Sequence, residues 1–151
     1  MWCVVMLFWM GRCLAGVVHP PVLGPDGVAW VLAEVDEGVA LYAATEEGDV
    51  RCVGSWAAAR APVAIAALGG GGVVLVRPGS GGHEVVLRSA EGTERPVLRG
   101  LPGGLRYRLV AHPVAPRVAV EGVDADGATR VWLLDAITGR TVWALDERGD
   151  A

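Results

Sequence analysis

Residues 130–145, RVWLLDAITGRTVWAL, are two apolar stretches on either side of a short polar turn. Both stretches are rich in Val, Leu and Trp, a composition that is typical of β-strands. The turn contains Asp135, Thr138 and Gly139. Glycine is the residue that most readily adopts the positive φ angle required by tight turns. The segment therefore predicts a β-hairpin with a structural turn at these three positions.

A related pattern occurs three times in the chain. Residues 17–56 and 109–146 both contain His-Pro, then three apolar strands separated by two turns that contain Gly, and residues 63–100 repeat this pattern less closely. The second turn of each repeat has its own glycine: Gly48, Gly92 and Gly139. These glycines are 44 and 47 residues apart. A period in this range, with four short strands per unit, is typical of the blades of a β-propeller.

Several strands are apolar on both faces, as residues 28–35, 39–45 and 73–76 show. Blades of a propeller stack face to face, so both faces of an inner blade are covered. A two-sheet sandwich would instead alternate apolar and polar residues along each strand. The pattern favours blades over a sandwich.

Helical signals are nearly absent. The one candidate, residues 55–69, is rich in Ala but is interrupted by Pro62, and its second half is equally consistent with a buried strand. We predict an all-β fold, a partial β-propeller of about three four-stranded antiparallel blades plus an N-terminal hairpin. The middle blade is expected to consist of residues 63–68, 72–78, 83–90 and 95–99. The predicted units are residues 1–16 (hairpin), 17–56, 61–100 and 105–147 (blades) and 148–151 (tail).

The N-terminal residues 1–11 contain no charged side chain and are too short to span a bilayer. Residues 3–15 align with residues 131–143, with Gly11 and Arg12 over Gly139 and Arg140. We interpret them as the outer hairpin of a preceding, incomplete blade and expect a cytoplasmic protein. The alternative is a signal segment and export, although the basic residues that normally precede the apolar part of a signal peptide are missing.

The composition argues against several classes of partner and site. The net charge is −4 and the pI about 5.3, and no basic face is evident, so we expect no nucleic-acid binding and consider membrane binding unfavourable. All thirteen basic residues are Arg, and Lys, Asn and Gln are absent, which we attribute to a high-GC genome. The three cysteines form no CxxC motif, so neither a disulfide framework nor a zinc site is expected.

At residues 130–140 the chain resembles the bacterial WD-repeat propellers. Asp135, Thr138 and Gly139 match that repeat, while Leu134 stands in place of its Trp. Residues 93–101 resemble its fourth strand and the Gly-His that follows, with Gly100 matching and Leu101 in place of the His. The same hairpin also resembles quinoprotein-type propeller repeats, which is our second choice; there Asp135, Thr138, Gly139 and the docking residue Trp143 match. Either resemblance implies a binding scaffold more often than an enzyme.

Residues 105–110, LRYRLV, are the candidate partner-binding segment. Arg106 and Arg108 share one face of a strand and Tyr107 lies on the other. In a propeller this would be the innermost strand, where two guanidinium groups can hold an acidic partner or an anion. A solvated strand end is the plainer alternative.

No residue pattern indicates catalysis, a metal ion or a cofactor. His19 and His112 occupy equivalent repeat positions, which indicates a structural role, and His83 is expected to face solvent. We therefore predict a non-catalytic protein-interaction scaffold. Because we find no polar cap at either end of the repeats, we expect it to be completed by self-association, for example as a homodimer, or by a partner chain. An exported, envelope-associated propeller fragment is the alternative, and an enzyme with an unrecognised site comes third.

Overall fold

The computed structural model describes residues 16–146. These residues form twelve strands and one short 3₁₀ turn. The strands pair in chain order into three four-stranded sheets. The predicted hairpin of residues 3–15 and the tail of residues 148–151 lie outside the described part of the chain.

All three sheets are antiparallel, and each strand pairs with the strand that follows it in sequence. Sheet 1 contains β1 (Gly16–Leu23), β2 (Ala29–Val35), β3 (Gly38–Ala44) and β4 (Val50–Trp56). Sheet 2 contains β5 (Ala64–Gly69), β6 (Gly72–Gly79), β7 (Gly82–Arg88) and β8 (Glu94–Leu101). Sheet 3 contains β9 (Arg106–Ala111), β10 (Arg117–Val123), β11 (Thr129–Asp135) and β12 (Thr141–Asp146). The prediction of an all-β chain with three four-stranded antiparallel sheets is confirmed.

The first strand of each sheet lies closest to the neighbouring sheets. β1 lies against β5, and β5 lies against β9. The three sheets are therefore stacked in chain order, with β1, β5 and β9 as their innermost strands and β4, β8 and β12 as their outermost strands.

The Ala-rich segment of residues 55–69 is not a helix. Its only helical turn is the 3₁₀ turn Ala58–Arg60, which lies in the link between sheets 1 and 2. Pro62 follows that turn, and a proline cannot continue a helix because it lacks the backbone N–H. The second half of the segment forms β5, whose first four residues, Ala64 to Ala67, are all buried.

Sheet 2 is covered on both faces, which explains its uninterrupted apolar strands. Val73 and Leu75 pack with sheet 1, whereas Val74 and Val76 pack with sheet 3. All four side chains of this run are fully buried. In sheet 1, Trp30, Leu32 and Leu41 complete the first interface; in sheet 3, Leu109, Val118, Val120 and Leu134 complete the second.

A group of ion pairs joins the outer strands of sheet 2 on the face that meets sheet 1. The guanidinium of Arg77 lies 3.1 Å from a carboxylate oxygen of Glu84 and also pairs with Glu94. Arg88 lies 3.0 Å from Glu94 and donates a hydrogen bond to the carbonyl of Val53 in β4. The network thereby satisfies its charges within sheet 2 and ties that sheet to sheet 1.

The two ends of the stack differ. On the face of sheet 1 turned away from sheet 2, Val31, Ala33, Ala40 and Tyr42 are only 0–3% exposed. On the corresponding face of sheet 3, apolar side chains are open to solvent. The N-terminal end for which we expect no polar cap lies within residues 1–16, almost entirely outside the described part of the chain, so this expectation stays a prediction.

We predict that Leu75→Ala destabilises the protein by about 2–5 kcal/mol, because it leaves a cavity in the interface between sheets 1 and 2. Chemical denaturation measures the change. Leu23→Ala is the control: Leu23 is exposed at the end of β1, and its loss should change stability by no more than about 0.5 kcal/mol. Equal effects of the two substitutions would show that the sheets are not held together by this interface.

Candidate interaction face on the third sheet

All four strands of sheet 3 contribute side chains to the face that is turned away from sheet 2, here called the outward face. Successive side chains of a strand point to opposite faces of its sheet, so every second residue lies on the outward face and the residues between them pack on sheet 2. The pairing of the strands places Leu133 beside Trp143 and Val131 beside Leu145. The outward face includes Arg106, Arg108, Val110, Ala119, Glu121, Val131, Leu133, Trp143 and Leu145. By the same alternation it also carries the ion pair of Arg117 with Asp135 at one end and Val123 beside Thr129 at the other.

The apolar part of the outward face is open to solvent. Val110 is 54% exposed, Trp143 48% and Leu145 55%. Of the eight large hydrophobic side chains that are exposed among the described residues, six lie within residues 106–146. Three of these six, Val110, Trp143 and Leu145, lie on the outward face, and exposed apolar side chains grouped in this way are typical of a binding surface.

The charged part of the outward face lies on the innermost strand. Arg106 and Arg108 are both exposed. Arg108 lies 3.6 Å from a carboxylate oxygen of Glu121 on β10. Arg106 forms no ion pair with any residue between 16 and 146. The face therefore combines an apolar outer half with a cationic inner edge.

Tyr107, the third residue of the predicted partner-binding segment, is turned the other way. It is buried between sheets 2 and 3, and its hydroxyl donates a hydrogen bond to the carbonyl of Pro102. Burial raises the pKa of Tyr107 to about 12, with a smaller opposing effect from Arg130. The structure thus brings Arg106 and Arg108 to one surface and gives Tyr107 a place in the core.

The surroundings of His83 differ from those expected. His83 does not simply face solvent: its ring lies 5.3 Å from that of Tyr107, and its Nδ1 is buried without a hydrogen-bond partner among the described residues. The alternation of side chains along β7 could have predicted the burial of His83, because it shares a face of that strand with Val85. His112 accepts hydrogen bonds from the backbone N–H groups of Val114 (3.1 Å) and Ala115 (2.8 Å), so it organises a loop.

The turn between β11 and β12 fixes the hairpin that carries the apolar part of the outward face. The Asp135 carboxylate accepts hydrogen bonds from the backbone N–H groups of Ile137 (2.9 Å) and Thr138 (3.0 Å) and pairs with Arg117 at 2.6 Å. The hydroxyl of Thr138 accepts a hydrogen bond from the N–H of Arg140 at 3.3 Å. Gly139 has a φ angle of 73°, and the glycines at the corresponding turns, Gly48 and Gly92, have φ angles of 95° and 89°.

The same turn also attaches sheet 3 to sheet 2. Arg95 of β8 donates a hydrogen bond to the carbonyl of Ile137 at 2.7 Å. A Cβ atom at Gly139 would lie 3.0 Å from side-chain atoms of Val97 on β8. Glycine thus serves both the backbone conformation and the close approach of the two sheets.

The described residues offer little for catalysis. Within residues 16–146, no group of three or more His, Cys, Asp or Glu side chains is placed to hold a metal ion. A cleft of about 680 Å³ between sheets 1 and 2 is lined by Trp56, Ala59, Arg60, Arg77, Pro78, Gly79, Ser80 and Glu84. Arg77 and Glu84 neutralise each other there, and Ser80 has no histidine among the other lining residues. The outward face of sheet 3 is the better candidate site.

Comparison with known proteins finds proteins of similar structure. No family model and no curated protein matches the chain. It is similar to the putative TolB of Agrobacterium tumefaciens (TM-score 0.61, 15% identity, covering 85% of this chain and 50% of that one). It is also similar to a quinoprotein alcohol dehydrogenase-like protein of Bacteroides thetaiotaomicron (TM-score 0.59, 13% identity, covering 84% of this chain and 33% of that one). A third similar structure is an auxiliary nutrient binding protein of the same organism (TM-score 0.55, 11% identity, covering 83% of this chain and 30% of that one).

The chain folds as a partial β-propeller. At these identities the likeness shows the fold alone. The chain spans half of the first of these structures and about a third of the other two. In residues 16–146, no helix has the length and apolar character needed to cross a membrane.

We predict that Gly139→Ala destabilises the protein by about 1–2 kcal/mol, because alanine pays a steric cost at positive φ. The close approach of Val97 adds to that cost. Chemical denaturation again provides the measurement. Gly103→Ala is the matched control, since Gly103 has no neighbour within 4 Å of a new Cβ and no positive φ angle. A Gly139→Ala protein as stable as the control would show that this turn tolerates a side chain.

A second prediction concerns acid stability. Hydrogen bonds from the backbone of Thr138 and Ile137, together with the charge of Arg117, lower the pKa of Asp135 below its ordinary value of 3.8. A lowered pKa means that the ionised carboxylate stabilises the fold above this ordinary value, and that the stabilisation is lost as the pH falls through the pKa of the folded state.

Thermal melts of wild type and Asp135→Asn test this. The wild type should melt at a higher temperature at pH 7, and the difference should shrink as the pH is lowered below 3.8. A difference that is constant between pH 7 and about pH 2 would mean that the charge of Asp135 does not contribute.

Proposed function

We propose that the protein is a non-catalytic interaction scaffold that binds a partner protein through the outward face of sheet 3. The observation that carries this proposal is the concentration of exposed Val110, Trp143 and Leu145 on one rigid sheet. Sheets 1 and 2 bury the side chains at the corresponding positions in their interfaces. A surface with the same apolar character that lacks a cover is suited to binding.

The two arginines give this face its selectivity. Aromatic residues and arginine are the side chains most often found at the energetic centre of protein interfaces. Trp143 supplies the apolar anchor of the outer half, while Arg106 and Arg108 favour a partner with acidic groups near the inner edge. Arg106 and Arg108 therefore retain the partner-binding role that the sequence predicts for them.

The type of repeat is part of the proposal. The likeness to a quinoprotein alcohol dehydrogenase-like structure supports the quinoprotein-type interpretation of the Asp135–Trp143 hairpin over the WD-repeat interpretation. Neither type assigns catalysis to the residues of the outward face.

A cytoplasmic location goes with the scaffold role. Export to the cell envelope is the alternative, favoured by the apolar residues 1–11 and by the likeness to a putative TolB. Sequencing the N-terminus of the native protein decides between these locations.

Capture from an extract of the source organism tests the scaffold role. The full wild-type chain, immobilised, should retain a defined polypeptide, and Trp143→Glu or Leu145→Glu should reduce its recovery about tenfold or more. Leu23→Glu is the matched control, because Leu23 is also an exposed leucine and lies at a strand end away from this face. Circular dichroism checks that each variant is folded. Equal recovery by all variants would exclude the outward face as the binding surface.

A further inference from the structure

We infer that the cleft between sheets 1 and 2 binds a small organic anion, one that carries a flat apolar group and a carboxylate. The cleft has a volume of about 680 Å³, which is in the range of small-molecule sites. Trp56 and the turn Ala58–Arg60 form one wall. The end of β6 and the turn that follows it, Pro78 to Ser80, form the other. The cleft is separate from the outward face of sheet 3.

The cleft is open at a place where the interface between sheets 2 and 3 is closed. Trp56 and Leu101 occupy equivalent positions, because each is the last residue of the outermost strand of its sheet. The carbonyl of each also approaches the glycine that begins the third strand, Gly38 or Gly82. Leu101 is only 2% exposed, whereas Trp56 is partly buried and lines the cleft. The cleft is therefore a property of sheets 1 and 2, not of every interface in the stack.

The links between the sheets account for this difference. Seven residues, 57–63, join β4 to β5, whereas four residues, 102–105, join β8 to β9. In the shorter link the carbonyl of Pro102 accepts a hydrogen bond from the Tyr107 hydroxyl, which holds the link against the interface. In the longer link the 3₁₀ turn lies against β6, and none of its three residues is buried. The additional residues thus form a wall of the cleft instead of closing it.

Trp56 provides a flat apolar surface whose position is fixed. Its ring lies over Gly54, which precedes it by two residues on the same face of β4, and a Cβ atom at Gly54 would be 2.9 Å from Cη2 of the ring. The side chain also packs against the core between sheets 1 and 2. Because the ring is already held in place, little conformational entropy is lost when a flat ligand stacks on its free part.

Arg60 gives the cleft its preference for an anion. Three charged residues line the cleft: Arg60, Arg77 and Glu84. Arg77 pairs with Glu84 at 3.1 Å, whereas Arg60 forms no ion pair with any residue between 16 and 146. Its guanidinium is therefore available to bind a carboxylate through two parallel hydrogen bonds. The hydroxyl of Ser80 on the opposite wall can donate one more.

The backbone that carries Arg60 is anchored on both sides. The N–H of Arg60 donates a hydrogen bond to the carbonyl of Ala57 at 2.9 Å. After the turn, Ala61 is only 7% exposed, and the N–H of Val63 donates to the carbonyl of Val76 at 2.8 Å. The guanidinium therefore extends from a backbone that is tied to sheet 2.

Amide NMR of the full, isotope-labelled chain tests the site with cinnamate, a flat aromatic carboxylate, as the probe. We expect saturable shifts of the signals of Arg60, Gly79 and Ser80, with a dissociation constant in the millimolar range. Cinnamamide, which has the same shape without the charge, should bind about fivefold more weakly. Shifts that do not saturate by about 5 mM cinnamate would overturn the site.

Two pairs of variants assign the binding to these side chains. Arg60→Gln should remove the preference for cinnamate over cinnamamide, whereas Arg140→Gln should keep it, because Arg140 is also exposed and forms no ion pair among residues 16–146 but lies in sheet 3. Trp56→Leu should weaken the binding of both compounds, and Trp143→Leu, at the other exposed tryptophan surface, should not.

A third variant keeps the test decisive if Trp56→Leu does not fold. Ser80→Trp narrows the cleft from the opposite wall, and its position in an exposed turn is not part of the core. We expect it to lose cinnamate binding, and binding equal to that of the wild type would overturn the site. Equal affinity of the wild type for cinnamate and cinnamamide would overturn the requirement for an anion, and shifts that depend on Trp143 would assign the probe to the outward face instead.

Discussion

The burial of sheet 2 on both faces is the interaction on which the rest of the fold depends. The side chains of residues 73–76 pack alternately on sheet 1 and on sheet 3, and none of the four is accessible to solvent. No sheet of this size has a core of its own, so the stability of each one comes from the sheet beside it. The ion pairs of Arg77 and Arg88 join the strands of sheet 2, and the hydrogen bond from Arg88 to the carbonyl of Val53 links that sheet to sheet 1.

Much of the architecture could be predicted from periodic features of the sequence. Glycine at a 44–47-residue spacing marks equivalent turns, and apolar residues on both strand faces indicate stacking, as residues 73–76 illustrate. Strand β5 was the difficult element, since an alanine-rich segment is compatible with a helix until Pro62 and the burial of both faces are considered. These features are either periodic or contained within one strand, and such patterns can be recognised directly in a sequence.

Only part of the candidate site could be predicted from the sequence. The alternation of Arg106, Tyr107 and Arg108 assigns both guanidinium groups to one face, but it does not say which face is covered. Trp143 is a large apolar residue of the kind that usually packs in a core. Only the stacking order of the sheets shows that no described sheet lies over it. The position of His83 against Tyr107 depends on contact between two sheets, which the spacing within either repeat does not contain.

The pairing of every strand with its immediate successor has a consequence for how the protein is made. Within each sheet the contacts join residues that are close in sequence, so its strands can begin to pair once they have left the ribosome, although the neighbouring sheet is needed to stabilise them. Sheet 2 then gives the nascent sheet 1 its cover, and sheet 3 does the same for sheet 2. The apolar face that awaits its covering sheet therefore moves along the chain as translation proceeds.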